Sequence, residues 1–346
     1  MIYVVCGPAG VAIEGADVLL INELASLFFW DVRHEHERVD IASQWLVSIR
    51  MEPPMGRRRQ PERVAVEFNE VGLLHSERPR IIEMVSTGGL IVIDAANRRA
   101  EVHNTLARGL FIDTYRLVRQ IIIHLLTTMN FSCLHASTVA HDGQAYAFIG
   151  QKGAGKTSLV AHLSACYGYD VVSNDKLFAR GDGQAVHFPE APAVTIQTLL
   201  SLPDTRSRLE RAAQLLPKAS ELFLDHPPLP QYTELSTLPV EHKVFFSEKQ
   251  FLALLTARGI TVASLRCISL VDRNRSSTCA IQQMENVDLE PYRDTLDMFH
   301  DWVGLRGDYE PKPLDFNVPL IHIRPATTIE ETAATVAAFL QGRMYN

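Results

Sequence analysis

The segment Gly150-Gln151-Lys152-Gly153-Ala154-Gly155-Lys156-Thr157 follows the apolar run Ala145-Tyr146-Ala147-Phe148-Ile149, and Leu159, Val160 and Leu163 then share one helical face. A buried strand, a glycine loop and an amphipathic helix in that order constrain the fold more than any other part of the chain. Gly150, Gly153 and Gly155 let the backbone wrap closely round a polyphosphate, so that amide N–H groups and the positive end of the following helix face the anion. In such a loop Lys156 reaches the β- and γ-phosphates and the Thr157 hydroxyl ligates Mg²⁺, while Gln151, Lys152, Ala154 and Ser158 complete the cradle. Three glycines followed by Lys-Thr have no packing reason to coincide, and the pattern implies a nucleotide, ATP with Mg²⁺.

The 346 residues suffice for one large domain or two of ordinary size, and a hydrophobic content of 47% supports real cores. A net charge of -7, from 33 basic and 40 acidic residues, offers no general attraction to nucleic acid or to an anionic membrane. The dense basic run Arg57-Arg58-Arg59, beside Pro53, Pro54 and Pro61, reads as a solvated turn or a docking loop. Cys6, Cys133, Cys166, Cys267 and Cys279 are scattered without a Cys-x-x-Cys pair, which suggests neither a disulfide framework nor zinc and leads us to expect a reducing cytoplasm. Glu14, Asp17 and Glu23 interrupt the apolar N-terminal stretch, which lacks the basic start of a signal peptide. No uncharged run approaches the roughly 18 residues of a membrane span.

Residues 1–110 read as a small α+β domain. Short strands are predicted at Tyr3-Val4-Val5, Val64–Phe68, Ile81–Val85 and Leu90–Ile93, the last two joined by a turn at Gly88-Gly89, with helices near Glu23–Phe29 and Ile41–Ile49. This domain carries no catalytic signature and is expected to select an acceptor. Residues 111–346 then form an α/β domain. It opens with a helix over 113–129, where Leu117, Val118, Ile121, Ile122, Leu125 and Leu126 recur at helical spacing. Two strands, Cys133–Ala140 and Ala145–Ile149, are joined by the Asp142-Gly143 turn, so the strand before the glycine loop gains an antiparallel neighbour. A strand over 169–173, a hairpin at Asp182-Gly183 and a Pro-rich region over 192–235 follow. Strands near 244–246, 262–271 and 318–323 alternate with helices over 248–257, 288–303 and 327–341.

Transfer of a phosphoryl group needs a carboxylate near the metal and a group to take the acceptor's proton. Asp175 closes the strand after the loop helix, where strand ends in an α/β sheet converge on a ligand, although Asn-Asp also favours a simple turn. His135 is a polar residue in an apolar strand, either a satisfied core histidine or part of the reaction centre.

The run Leu134-His135-Ala136-Ser137-Thr138-Val139, the Asp142-Gly143 turn, the loop from Gly150 and Val172-Ser173-Asn174-Asp175 together resemble the HPr serine kinases and their relatives. In that family a histidine motif precedes a glycine turn, a phosphate loop and a strand ending in Asp-Asp. The likeness covers residues 113–190 well and the remainder in outline. It implies a domain of the type shared by HPr kinase and phosphoenolpyruvate carboxykinase, with His135 near the reaction centre and Asp175 as base toward a serine hydroxyl. Asn174 stands where the first aspartate belongs; its amide oxygen can ligate Mg²⁺ beside Thr157 and Asp175 but brings no charge. Lys152 replaces the loop's usual serine. The E-x-R-G-x-G motif with which HPr kinases engage HPr has no counterpart, nor do the further metal and substrate motifs of phosphoenolpyruvate carboxykinase.

These features lead us to expect an ATP-dependent kinase acting on a hydroxyl, foremost a serine of a peptide or protein. The divergent kinases of lasso-peptide and other natural-product pathways offer an analogy for a peptide acceptor. The alternatives are a small-molecule kinase and a nucleotide-dependent regulatory protein without phosphoryl transfer. Homo-oligomerisation is left open.

Overall fold

The computed structural model describes residues 1–15, 17–27, 32–34, 43–52, 63–67, 70–77, 79–215, 229–284, 303–305 and 318–344. The Arg57-Arg58-Arg59 run and nearly all of the helix predicted over 288–303 lie outside the described residues. The fold is mixed α/β with several sheets. Its two compact units are built chiefly on Met1–Met129 and on Asn130–Leu216 with Pro227–Met298 and Pro311–Asn346.

The first unit holds β1 (Ile2–Cys6), β2 (Ala9–Gly15), α1 (Val18–Leu27), β3 (Val32–His34), β4 (Ser43–Arg50) and β5 (Arg63–Glu67). It continues through β6 (Glu70–Glu77), β7 (Arg80–Met84), β8 (Gly89–Asp94), β9 (Arg99–His103) and α2 (Ala107–Thr128). The nine strands form one sheet in the order β3-β1-β2-β4-β9-β8-β7-β6-β5. The β2–β4 and β4–β9 pairings are parallel, whereas the rest are antiparallel, all of them hairpins except β1–β3. Helix α2 lies across β2, β4, β8 and β9 and buries Leu117, Val118, Ile121, Ile122, Leu125 and Leu126, the stripe expected from its spacing. Its buried Asp113 accepts from Thr87 Oγ1 at 2.7 Å. A side chain at Gly89 would place its Cβ only 2.1 Å from that carboxylate, so the close approach of β8 requires glycine there.

The helix predicted at Ile41–Ile49 is corrected: Ser43–Arg50 is strand β4, at the centre of the sheet between β2 and β9. Both periods fit this segment, because Ile41, Trp45 and Ile49 are four apart while Trp45, Val47 and Ile49 alternate. The two parallel neighbours, distant in sequence, decide in favour of the strand. The helix expected at Glu23–Phe29 begins earlier, at Val18, where the Asp17 carboxylate accepts from the Leu19 and Leu20 amides at 2.9 and 3.1 Å.

The second unit begins with β10 (Ser132–His135), β11 (Ser137–His141), β12 (Gln144–Ile149), α3 (Lys156–Tyr167), β13 (Asp170–Ser173), β14 (Lys176–Ala179) and β15 (Gln184–His187). An excursion follows, comprising β16 (Ala193–Thr195), α4 (Ile196–Ser201), α5 (Thr205–Ala213), α6 (Tyr232–Leu235), β17 (Lys243–Phe245) and α7 (Glu248–Leu255). The chain ends with β18 (Val262–Val271), β19 (Ala280–Met284), β20 (Leu320–Arg324) and α8 (Ile329–Met344). Strand β12 has the expected antiparallel neighbour in β11 and a parallel one in β18, which itself pairs in parallel with β20.

The main sheet of this unit runs β10-β14-β15-β18-β12-β11-β13. Its ends are halves of the same two strands: Ala136 alone separates β10 from β11, and Asn174 with Asp175 separates β13 from β14. The sheet therefore returns on itself. Such curvature leaves little interior volume, and the enclosed cluster is correspondingly small-sided, with seven alanines (136, 140, 145, 147, 179, 185 and 263) among its thirteen buried residues. On β12, Ala145, Ala147 and Ile149 belong to this cluster and alternate with Tyr146 and Phe148, which project from the opposite face.

Replacement of Ala147 by leucine adds three carbons to this closed interior. Ala147→Leu is expected to destabilise the protein by about 1–3 kcal/mol, read as a lowered melting temperature. An unchanged melting temperature would show that the interior has room to spare.

Candidate active site

Strand β12 delivers the glycine loop and α3 carries it away. Gly150 has a φ of 149°, and a Cβ there would stand 2.5 Å from the Val271 carbonyl at the end of β18, so the loop can leave the sheet at this point only as glycine. Gly155, at φ 91° and ψ 15°, is the left-handed residue that opens α3. Lys156 follows with its ammonium bound to the Gly150 carbonyl at 2.7 Å and the Gln151 carbonyl at 3.4 Å. The side chain thus curls back over its own loop and is only 8% exposed. Burial pulls the Lys156 pKa down; the Asp175 charge opposes this and the Lys243 charge adds to it. Gln151, Lys152 and Gly153 are exposed, Ala154 is buried, and Gly155, Thr157 and Ser158 are half-buried. Ser158 turns its hydroxyl to Thr198 of α4 at 2.6 Å, which gives it a part in packing α3.

The second half of the site is the break in the paired strands. The sequence reading treated Cys133–Ala140 as one strand; the structure interrupts it at Ala136, opposite Asn174 and Asp175. Regular pairing stops after His135↔Lys176 and resumes at Thr138↔Ser173. Two serines satisfy carbonyls that the ladder leaves behind: Ser137 Oγ donates to the Asn174 carbonyl at 2.5 Å and Ser173 Oγ to the Ala136 carbonyl at 3.1 Å. Both serines are buried, at 0% and 2% exposure, as is Ala136, while Asn174 is half-buried.

This corner brings His135 and Asp175 together. Nδ1 of His135 lies 3.2 Å from Oδ1 of Asp175, a close polar contact without the alignment of a hydrogen bond. Burial lowers the His135 pKa and the nearby Asp175 charge only partly restores it, so the ring is neutral at neutral pH. Burial opposes ionisation of Asp175, but Lys176 and His135 outweigh it and hold the carboxyl below its ordinary pKa. Beside them, Asn174 Oδ1 is a buried acceptor without a hydrogen-bond partner among the described residues.

The residues behind Asp175 belong to no sequence motif. The Lys176 ammonium stands 3.4 Å from Asp175 Oδ2 and 2.7 Å from Glu190 Oε1. The Glu190 amide donates to Glu248 Oε1 at 2.7 Å, and that oxygen faces His187 Nε2 at 3.1 Å. His187 in turn donates through Nδ1 to the Val172 carbonyl of β13 at 2.5 Å. A buried polar chain thus runs from the strand before Asp175 round to the lysine after it. Arg273 also escaped notice; its Nε lies 3.8 Å from where a Cβ on Gly153 would be. Its neighbour Asp272 is held by His322 at 3.1 Å. These residues follow no motif and meet only through topology.

Among the described residues, no group of three or more His, Cys, Asp or Glu side chains forms a metal cluster, and no helix is long and apolar enough to cross a membrane. All five cysteines are free thiols. No protein-family model and no curated protein sequence matches the chain.

If the serine hydroxyls hold the corner, removing one leaves a buried carbonyl unsatisfied and lets the strand carrying Asp175 relax. Ser137→Ala is expected to cost about 1–3 kcal/mol of stability. A thermal melt that coincides with that of the unaltered protein would show the corner to be held by other contacts.

Proposed function

We propose that the protein is a kinase that transfers the γ-phosphoryl group of ATP to a hydroxyl, foremost a serine of a peptide or protein. One observation carries the reading: the His135–Asp175 pair lies at a strand break close enough to the glycine loop for the Asp175 charge to act on Lys156. A protein that used nucleotide only as a switch would have no need of a carboxylate poised beside the loop lysine, and this favours chemistry over regulation. The motifs shared with the HPr serine kinases support the same reading.

The donor set fits the groups the reaction requires. Lys156, drawn over the loop and partly stripped of water, is placed to hold the polyphosphate. Thr157 and Asn174 supply neutral oxygens for Mg²⁺, and the unpartnered Asn174 Oδ1 has the character of a ligand oxygen. Mg²⁺ bound there would neutralise charge on the phosphates.

The acceptor hydroxyl oxygen forms a bond to the γ-phosphorus as the bond from that phosphorus to the bridging oxygen breaks; ADP leaves and the hydroxyl proton passes to Asp175. A carboxylate kept ionised by Lys176 is a weak base. Phosphoryl transfer makes little demand for a strong one, because the proton is lost late and the main needs are position and charge. Neutral His135 orients Asp175 from its other side. The first unit, rich in strands and without such chemistry, is assigned the selection of the acceptor.

Turnover of ATP in the presence of candidate peptides tests the proposal: acceptor-dependent ADP release supports it, and binding without turnover refutes it in favour of the regulatory reading. Lys156→Ala is expected to lower turnover by on the order of 10²-fold or more while the chain still folds, as a cooperative melting curve would show. Asp175→Asn should also lower kcat by on the order of 10²-fold or more, with a smaller change in ATP affinity. Loss confined to affinity would instead assign Asp175 to the metal.

A further inference from the structure

The excursion between β15 and β18 brings up a cation that belongs to no part of the glycine-loop pattern. Thr195 ends β16 and caps α4, accepting from the Thr198 amide at 3.3 Å. Its hydroxyl lies 2.9 Å from the Thr198 hydroxyl, which lies 2.6 Å from the Ser158 hydroxyl. Ser158 is in the first turn of α3, two residues beyond Lys156. Three hydroxyls in a row therefore tie the antiparallel β16–β17 pair to the start of the loop helix.

Lys243 is the residue of β17 directly opposite Thr195. Side chains of directly opposed residues project from the same face of an antiparallel pair. Strand β17 shows the corresponding alternation, with Lys243 and Phe245 outward and Val244 buried. The Lys243 side chain thus leaves the strand pair on the face from which Thr195 reaches α3. In keeping with this placement, Lys243 is one of the charges felt by the buried Lys156 ammonium. Two like charges held near one another repel, an arrangement that an anion between them reverses.

We propose that Lys243 is a second polyphosphate-binding cation, carried to the glycine loop by the two-stranded β16–β17 sheet and registered there by the Ser158–Thr198–Thr195 hydroxyls. The proposal rests on the nucleotide reading given above and adds to it a phosphate contact supplied from outside the loop. A lysine serves here as a compact point charge, which needs no bidentate geometry and reaches its target from an exposed strand.

Calorimetric titration of the full chain with Mg²⁺-ATP tests it. Lys243→Met is expected to weaken ATP binding by about 10-fold or more, the effect of losing one charged hydrogen bond. Lys243→Arg should restore binding to within about 3-fold, since the charge is kept. The melting temperature without nucleotide should be the same in all three proteins, because Lys243 is exposed. Wild-type affinity in Lys243→Met overturns this proposal and leaves the kinase reading standing, as does a loss that arginine fails to restore. Failure of the unaltered chain to bind ATP overturns both.

Discussion

The second unit depends on a sheet that must turn back on itself and still satisfy its backbone. A pair of antiparallel strands cannot bend sharply without losing ladder hydrogen bonds, and a buried carbonyl left alone costs about 1–3 kcal/mol. The chain meets this by placing a serine on each strand beside the break and aiming each hydroxyl at the carbonyl stranded on the other. Asp175 and His135 face one another because they flank this break, one on each strand. The same closure requires the alanine-rich interior, since larger side chains would hold the sheet open. Curvature, core composition and site geometry are thus consequences of one constraint.

Much of the second unit was legible locally. The strand, loop and helix around Gly150 follow from apolar alternation, glycine spacing and the 3.6-residue period, and the strands over 262–271 and 169–173 were visible as short β-branched runs. Pairings remote in sequence were not legible. Strand β4 fits a helical period as well as a strand period until β2 and β9 are known to flank it. The break at Ala136 leaves no mark beyond a cluster of small polar residues, because its cause lies on the partner strand. His135 is legible because it places chemistry in a strand where packing alone favours an apolar side chain, and Asp175 because it closes the strand after the loop helix, where strand ends converge on a ligand. Lys176, Glu190 and Lys243 are ordinary surface-type residues in sequence, and only topology gives them a place near the loop.

Electrostatics at the corner follow a consistent logic. Burial disfavours charge on Asp175, His135 and Lys156 alike, yet the three respond differently because their neighbours differ. Asp175 has a cation beside it and stays ionised. His135 is governed first by burial; Asp175 and Glu190 pull its pKa up, Lys156 and Lys176 pull it down, and the ring remains neutral. The chain through Glu190, Glu248 and His187 keeps Lys176 where it must be for this outcome, at 13% side-chain exposure and with two carboxylates to hold it. Lys176 would otherwise regain water and much of its effect on Asp175 would be screened.

The asparagine at 174 is consistent with this balance. In the resembling kinases an aspartate stands there, and a second carboxylate beside Asp175 would add a like charge within the same buried corner. Here Glu190 already supplies a second carboxylate, engaged by Lys176 at 2.7 Å. A third would raise the pKa of its neighbours unless a cation were always bound. An amide avoids that repulsion while keeping a ligand oxygen, and its backbone carbonyl serves the corner through Ser137. Under the proposed reaction, the charge an aspartate would have given to Mg²⁺ is then left to the phosphates and Asp175. The lysine-rich loop and Lys243 take up part of the phosphate charge in turn, so that metal and protein share one polyanion.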